Sequence, residues 1–388
     1  MSPLSPQVAV VGTGFIGPVH VEALRRLGIR VKGVLGSSAE KSLEAARLMD
    51  VEAGYPTYAA VLADPEITAV HLASPNRLHH SQVIDALAAG KHVVCEKPLG
   101  MTSAETAELV KTAAQYPHQI CAVNYNVRFY PLILHTRALV QRGEIGGIFH
   151  LQGSYLQDWL LLPTDFNWRV LAEEGGALRA MGDIGTHWLD LISFITGLKI
   201  EAVLADLRTV HPLRQQPGSG SPETFKGKNS GRAASGQLIP VTTEDYGSVL
   251  LRFKGGARGC FTVSQVTAGR KNCIRFEIAG SKRAVAWNSE SPNELWLGER
   301  GEANRTLLRD PSLLDSSVSR FANYPGGHNE GFPDTFKQLY RAVYDDIVAG
   351  RPSAAPLYAT FADGHQELLL CEAIAESHRR SAWVSVGT

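Results

Sequence analysis

The chain has 388 residues, with Lys+Arg and Asp+Glu both at 38 and hydrophobic residues at 44%, a size that exceeds one simple core and points to two domains. Its formal net charge of zero argues against a nucleic-acid or membrane-surface protein. The five cysteines (Cys95, Cys121, Cys260, Cys273, Cys371) form no Cys-x-x-Cys pair, which points to buried reduced thiols rather than disulfides and leaves no metal site to expect. Met1–Gln7 is short and polar, and the apolar run after it breaks at Gly12. No stretch is long enough to span a bilayer, so a cytoplasmic protein is expected.

Strands and helices alternate through residue 143. Strands are expected at Val8–Val11, Val31–Leu35, Ala69–Ala73, His92–Cys95 and Ile120–Val123, and helices at 15–27, 38–49, 78–89, 103–115 and 130–142. Short apolar strands separated by helices of this length read as βαβ units and a parallel sheet. Gly28, Gly90 and Gly143 follow helical patterns as terminal glycines do, and Thr102/Ser103 with Glu105 reads as a helix start. After Gly146-Gly147 the character changes. A strand at Ile148–Gln157 and a long amphipathic helix at Gly176–Thr196 precede strands at 200–209, 245–254, 257–266, 273–279, 283–287 and 293–297. Runs of strands after one helix predict an α+β second half with a largely antiparallel sheet. Gln215–Ser235, rich in Gly, Ser, Lys and Asn, reads as an exposed loop. Helical patterns at 333–349 and 358–379 and an apolar run at Trp383–Val386 close the chain, with no internal repeat.

The chain is organised around Val8-Ala9-Val10-Val11-Gly12-Thr13-Gly14-Phe15-Ile16-Gly17. An apolar strand runs into Gly-x-Gly-x-x-Gly and then a helix, the context in which this motif holds a dinucleotide. Gly12 permits the tight turn, Gly14 lets the backbone approach a pyrophosphate, and Gly17 lets the helix pack on the strand. The helix start, with Phe15 and Ile16, offers N–H groups and a partial positive charge to the phosphates. The expected division is therefore a dinucleotide-binding domain at 1–125 and an α+β domain at 126–388, with a C-terminal helix free to return to the first.

A second anchor is Glu96-Lys97-Pro98, at the carboxyl end of a strand, where open α/β sheets bind ligands. A third is Met181-Gly182-Asp183-Ile184-Gly185-Thr186-His187-Trp188, which sets an acid and a histidine four residues apart on one helix face. An acid, a base and a lysine beside a dinucleotide cleft suit removal of a hydroxyl proton with hydride transfer from the same carbon. Alone, Lys97 reads as a surface lysine, His187 as a core histidine and Asp183 as a helix-start acid.

The combination of Gly12-x-Gly14-x-x-Gly17, Ser74-Pro75-Asn76-Arg77-Leu78-His79, Glu96-Lys97-Pro98, Asn124-Tyr125-Asn126-Val127-Arg128-Phe129 and Asp183-Ile184-Gly185-Thr186-His187 resembles the Gfo/Idh/MocA family of nicotinamide-dependent oxidoreductases over nearly the whole chain. The resemblance implies an α/β fold class: an N-terminal Rossmann doubly wound parallel sheet, then a C-terminal α+β domain whose open sheet carries substrate on one face and often an oligomer interface, dimeric or tetrameric, on the other. It implies that His187 is the acid/base, that Lys97 polarises or helps deprotonate the reacting hydroxyl, and that Asp183 binds a neighbouring hydroxyl and orients His187. It implies a cis peptide at Lys97–Pro98 and cofactor contacts from Ser74, Asn76, His79, Glu96, Asn126, Trp168 and Arg169.

Arg128, Tyr155 and His328 are candidate substrate contacts, His328 with an even alternative as part of a simple turn; Tyr125 and Phe129 read as packing and His80 as solvated. The second strand runs into Val34-Leu35-Gly36-Ser37-Ser38-Ala39-Glu40-Lys41, with no acid at the strand end to hold the ribose hydroxyls of NAD. Ser37, Ser38 and Lys41 suit a 2′-phosphate, which leans the reading slightly to NADP over NAD, while a polar helix start capped by Ser37 or Ser38 stays open. The expected reaction is hydride transfer between nicotinamide and a hydroxyl-bearing ring carbon of a sugar, anhydrosugar or inositol. Two alternatives stand beside it: a redox-neutral NAD-dependent glycosidase, and a non-catalytic dinucleotide- and sugar-binding regulator.

Overall fold

The computed structural model describes residues 6–217 and 236–387 and divides into two units, Met1–Phe129 with Phe332–Leu368, and Tyr130–Gly331 with Leu369–Thr388. The first holds β1 (Gln7–Val11), α1 (Ile16–Arg25), β2 (Arg30–Leu35), α2 (Ala39–Leu48), β3 (Ala53–Gly54), α3 (Tyr58–Ala63), β4 (Ile67–Leu72), α4 (His79–Ala88), β5 (His92–Cys95), α5 (Ser103–Ala113) and β6 (Cys121–Val123). The six strands are parallel in the order β3-β2-β1-β4-β5-β6. The order reverses between β1 and β4, so the crevice for a ligand opens beyond their carboxyl ends. Val8, Ala9, Val10, Val70, Leu72 and Val93 are fully buried, as strands covered on both faces require. Ser38, Thr57 and Thr102 cap the starts of α2, α3 and α5, and Gly28, Gly90 and Gly143 follow helices with positive φ.

Helix α9 (Phe332–Ala349) belongs to this first unit. It is pinned there by Arg26–Asp334 at 2.5 Å and by the Asn126 amide donating to Thr335 Oγ1 at 2.7 Å. The short β3 and α3 were not legible in the sequence, so Cys121–Val123 is the sixth strand, not the fifth.

The second unit opens with α6 (Pro131–Gln141), where Pro131 sits in the first turn, a position that needs no N–H. Then come β7 (Ile148–Leu156), α7 (Ala172–Gly175), α8 (Thr186–Thr196), β8 (Ile200–Arg208), β9 (Leu213–Pro217), β10 (Gly236–Pro240), β11 (Tyr246–Phe253), β12 (Arg258–Ser264), β13 (Cys273–Gly280), β14 (Ala284–Asn288), β15 (Glu294–Gly298), β16 (Arg305–Leu308) and, near the chain end, β17 (Val384–Ser385). The boundary between the units falls within α10 (Phe361–Arg380). Nine strands form one sheet, β16-β15-β14-β13-β7-β12-β11-β8-β17; every pair is antiparallel except β12 with β7. β9 and β10 pair separately. Of the expected Gln215–Ser235 loop, Gln215–Pro217 is instead strand, the end of β9 paired to β10, and 218–235 lies outside the described residues.

Trp188 fixes α8 to the sheet. Its indole is fully buried, stacks on Phe261 at 4.6 Å between centroids and donates to the Arg275 carbonyl at 3.0 Å. A Cβ on Gly153 would lie 2.4 Å from Trp188 Nε1, so β7 has a glycine where the indole crosses it.

The expected 176–196 helix is interrupted. Gly176 has φ 105, and Met181–Gly185 forms one π-helical turn before α8. The cause is Glu244, whose carboxylate accepts the main-chain N–H groups of Arg179 and Met181 and so caps the helix five residues later than the periodicity suggests.

Candidate active site

In the first unit the glycine loop joins β1 to α1. The Gly12 amide donates to the Leu35 carbonyl at 2.8 Å. With φ 111, Gly12 presses so close to β4 that a Cβ would sit 2.2 Å from the Ala73 oxygen. A Cβ on Gly17 would meet the Gly12 oxygen at 2.2 Å, whereas one on Gly14 would meet nothing within 4 Å. The outer two glycines are thus required by the protein's own packing. The middle one leaves an open cradle at the start of a ten-residue helix, which fits a dinucleotide pyrophosphate. Phe15 is 57% exposed there.

At the end of β2, the Ser38 hydroxyl accepts the Lys41 main-chain N–H at 3.2 Å, so Ser38 is the helix cap that the sequence left open. Ser37 and Lys41 are exposed. Beyond β4, Ser74 donates to Gln82 at 2.5 Å, and Asn76 opens a 3-10 turn, Asn76–Leu78. His79 is fully buried. Its ring nitrogens face the Pro98 carbonyl at 2.8 Å and the Ser74 carbonyl at 3.0 Å. Burial pulls its pKa down against those two acceptors. His79 therefore ties the Ser74 and Pro98 loops together. His80, expected in solvent, pairs with Glu108 at 3.0 Å.

Lys97 follows β5, and the Lys97–Pro98 peptide is cis. Glu96 is buried and accepts from His20 at 3.0 Å and from the Asn124 amide. Burial alone would raise its pKa, but the His20 contact, the Lys97 ammonium and Asn124 hold it down to about 2. Tyr125 and Phe129 are fully buried packing residues. Asn126 and Arg128, read as facing a ligand, are also buried: Asn126 is bound to Thr335 and Arg128 lies 3.6 Å from Asp363. The physical reason is that α9 and α10 supply polar groups to this unit.

In the second unit, Asp183 sits in the π turn and His187 in the first turn of α8, the latter 7% exposed. Gln265 donates to Asp183 Oδ2 at 3.0 Å, and Arg169 Nε lies 3.5 Å from Asp183 Oδ1. Arg169, expected with Trp168 to meet cofactor, also lies over the Trp168 ring at 4.4 Å. Tyr155 is buried with its ring 6.0 Å from that of His187. Its hydroxyl donates to Asn272 at 2.7 Å, and burial with the Asp183 charge pushes its pKa up. Behind them Arg179, Arg214 and Asp245 form a buried ion cluster. Arg179 reaches Gln265 at 3.3 Å, which fixes the amide that holds Asp183. Burial works against the Asp245 carboxylate, but the arginines and main-chain donors keep its pKa low.

The sequence reading missed Gln265, Asn272, Arg179 and Glu244, because each acts on a residue more than 60 positions away. His328 lies on an exposed loop whose carbonyls are gripped by buried Arg309; its Nδ1 faces the Gly326 carbonyl at 3.3 Å. That geometry describes a built turn. Among the described residues no cluster of His, Cys, Asp and Glu is arranged to hold a metal, and no helix is long and apolar enough to cross a membrane.

Residues 7–125 match the oxidoreductase family described as having an NAD-binding Rossmann fold, and residues 133–286 match the GFO/IDH/MocA C-terminal domain. The chain is 30% identical to levoglucosan dehydrogenase from Pseudarthrobacter phenanthrenivorans, over 98% of this chain and 97% of the relative. Solved structures of levoglucosan dehydrogenase are similar throughout. The complex with NADH and L-sorbose has a TM-score of 0.87 at 28% identity, covering 99% of both chains. The complex with NADH and levoglucosan has 0.86 at 28%, covering 98% of this chain and 99% of that one. The two matched segments, the identity along the whole chain and the Rossmann sheet followed by a mostly antiparallel one agree: the chain belongs to the GFO/IDH/MocA family of oxidoreductases.

Proposed function

We infer that the protein is a dehydrogenase or reductase of a polyhydroxylated ring, a sugar, anhydrosugar or inositol. The observation that carries this reading is the Asp183 arrangement. A mostly buried carboxylate held on one oxygen by Gln265 and approached on the other by Arg169, beside His187 and Tyr155, offers the convergent polar groups that several adjacent hydroxyls need. The 30% identity to a levoglucosan dehydrogenase supports the substrate class.

The fit of the glycine loop to a dinucleotide assigns Gly12, Gly14, Phe15, Ile16 and Gly17 to the pyrophosphate, with Ser74, Asn76, Glu96 and Lys97 further along the crevice beyond β4 and β5. Bound nicotinamide supplies the hydride acceptor or donor at its C4. His187 takes the hydroxyl proton on oxidation and returns it on reduction. Lys97 polarises the same oxygen, and Asp183 binds the neighbouring hydroxyl and keeps the imidazole oriented. No acid sits at the end of β2 to repel a 2′-phosphate, and Ser37 and Lys41 are exposed to face one, so NADP stands beside NAD. The face of the second unit's sheet that carries Gln152, Thr262, Arg275, Glu277 and Trp296 forms a polar concavity; we assign it to a second copy of this chain, which sedimentation would report as a dimer or tetramer.

The test is titration with NAD(H) and NADP(H), followed by a screen of levoglucosan, other sugars and inositols for cofactor absorbance change. Binding with net reduction on one ring compound supports the reading. Release of an aglycone with no net cofactor change would replace it with the redox-neutral glycosidase. Binding with no turnover on any compound would replace it with the regulator.

A further inference from the structure

Behind Glu96 the first unit holds a line of buried polar groups that the reaction chemistry does not use. Tyr344 Oη lies 3.0 Å from His71 Nε2. His71 Nδ1 lies 2.9 Å from His20 Nδ1, and His20 Nε2 lies 3.0 Å from Glu96 Oε1. The second carboxylate oxygen accepts the main-chain N–H of Lys97 at 3.2 Å. The line draws on α9, β4, α1 and the end of β5. His20 and His71 are fully buried and Tyr344 is 4% exposed. Tyr340 packs its ring 4.7 Å from that of His71, and Phe336 lies 6.0 Å from His20, so the line runs through an aromatic sleeve.

The proton count makes the line directional. Two Nδ1 atoms at hydrogen-bond distance hold one proton between them. If His71 carries it, Tyr344 donates to His71, His71 to His20, and His20 Nε2–H to Glu96. If His20 carries it on Nδ1, His71 turns its own N–H to Tyr344, and a neutral His20 then has no proton on Nε2 and faces the Glu96 carboxylate acceptor to acceptor. With neutral rings only the first arrangement satisfies every contact, so the line donates from Tyr344 towards Glu96. Buried imidazoles with no hydrogen-bond partner would be costly. Here each ring nitrogen has one, and the Glu96 carboxylate meets His20, Asn124 and the Lys97 amide together.

We propose that His20 and His71 are positioning residues for Lys97, acting through the Glu96 carboxylate that clasps the Lys97 main chain. The consequence for function rests on the reading of Lys97 given above, and the placement of Lys97 is testable without it. Lysines of the full chain are reductively methylated with ¹³C-formaldehyde, which keeps their charge, and the Lys97 resonance is assigned by its loss in Lys97→Arg. The comparison is between His20→Leu, which removes the bond to Glu96, and His20→Gln, whose amide can restore it at the Nε2 position. The expected result is a Lys97 resonance displaced by more than its linewidth in His20→Leu and returned towards the parent position in His20→Gln, with other lysine signals unmoved. A Lys97 signal at the parent position in both variants would overturn the proposal. If His20→Leu does not fold, Tyr344→Phe, which loses one hydroxyl, is read instead: a displaced Lys97 signal supports the line, and an unmoved one overturns it. Activity of Lys97→Ala on the ring compound found by the screen separates the two ideas, since full activity would remove the role of Lys97 and leave its placement by His20 standing.

Discussion

The three loop glycines make a differential prediction. Gly12→Ala and Gly17→Ala force a Cβ to 2.2 Å from the Ala73 and Gly12 oxygens respectively. Either oxygen must retreat by more than 1 Å or so to reach ordinary contact, and overpacking of that kind costs about 1–3 kcal/mol. Gly12 adds the strain of φ 111. Gly14→Ala is different: nothing lies within 4 Å of the added methyl and φ is not in the left-handed region. Such a substitution leaves stability unchanged or raises it by about 0.4–1 kcal/mol through the unfolded chain. If a pyrophosphate lies against this backbone, however, the methyl displaces a charge-assisted N–H contact worth about 1.5–3 kcal/mol, or about 10- to 150-fold in affinity. The assay is a urea midpoint together with an NADH titration by fluorescence. Unchanged stability with NADH binding weakened by at least about tenfold is expected. Parent-like NADH affinity in Gly14→Ala would refute the placement of the pyrophosphate, and a collapse of stability would show that Gly14 is held by packing after all.

Lys97→Ala and His187→Ala are each expected to lower turnover by about 10²–10⁴-fold with NADH affinity near that of the parent; full turnover in either would remove that residue from the chemistry. Gly153→Ala drives a methyl to 2.2 Å from the Arg275 oxygen and 2.4 Å from Trp188 Nε1, and is expected to cost about 1–3 kcal/mol in the urea midpoint; an unchanged midpoint would mean that Trp188 does not cross β7 there. Acid sensitivity is expected at His135, which is 6% exposed, accepts the Asp315 main-chain N–H at 3.0 Å, and is pushed from the usual 6.5 down to about 4, by burial first and then by the Arg142 charge. Above the unfolded value neither state binds the proton and the stability is fully present. As pH falls from about 6.5 towards 4 only the unfolded chain takes it up, so about 2 kcal/mol is lost by pH 5. His135→Asn, which keeps an acceptor without titrating, is expected to flatten that slope, and an equally steep loss in the variant would assign the acid sensitivity elsewhere.

What was legible in the sequence is what depends on neighbours in the chain. The strand–glycine–helix unit at 7–25, the Glu96-Lys97-Pro98 turn and the alternating strands of the second half are all local patterns, with one face or both buried, and hydrophobic spacing reports them directly. Ser38 as a cap follows from four consecutive residues. The start of the helix that carries Asp183 does not. Gly176–Ala180 has helical spacing, but Glu244 arrives from the start of β11 and takes the Arg179 and Met181 amides, so the helix begins where a distant carboxylate ends its search for donors. Glu244 itself shows the cost: burial raises its pKa and the main-chain N–H groups oppose that rise, a balance no spacing rule contains.

The same distinction separates the two kinds of candidate site residue. Asn126, Arg128 and His79 looked like ligand contacts because polar residues at strand ends usually face a cleft. In the folded chain each has a protein partner that the sequence did not show, because α9, α10 and the Pro98 loop bring acceptors and donors that the sequence places far off or out of register. Asp183 goes the other way. Alone it passes for a helix-start acid, yet its carboxylate is turned between Arg169 and Gln265, and Gln265 is fixed in turn by Arg179, which a shared Asp245 holds against Arg214. Two buried guanidinium groups and one carboxylate are weak evidence of stability, since an apolar core there would be as good. Their place behind Asp183 is better explained by orientation, which is the property that the hydroxyl-binding role proposed for Asp183 requires.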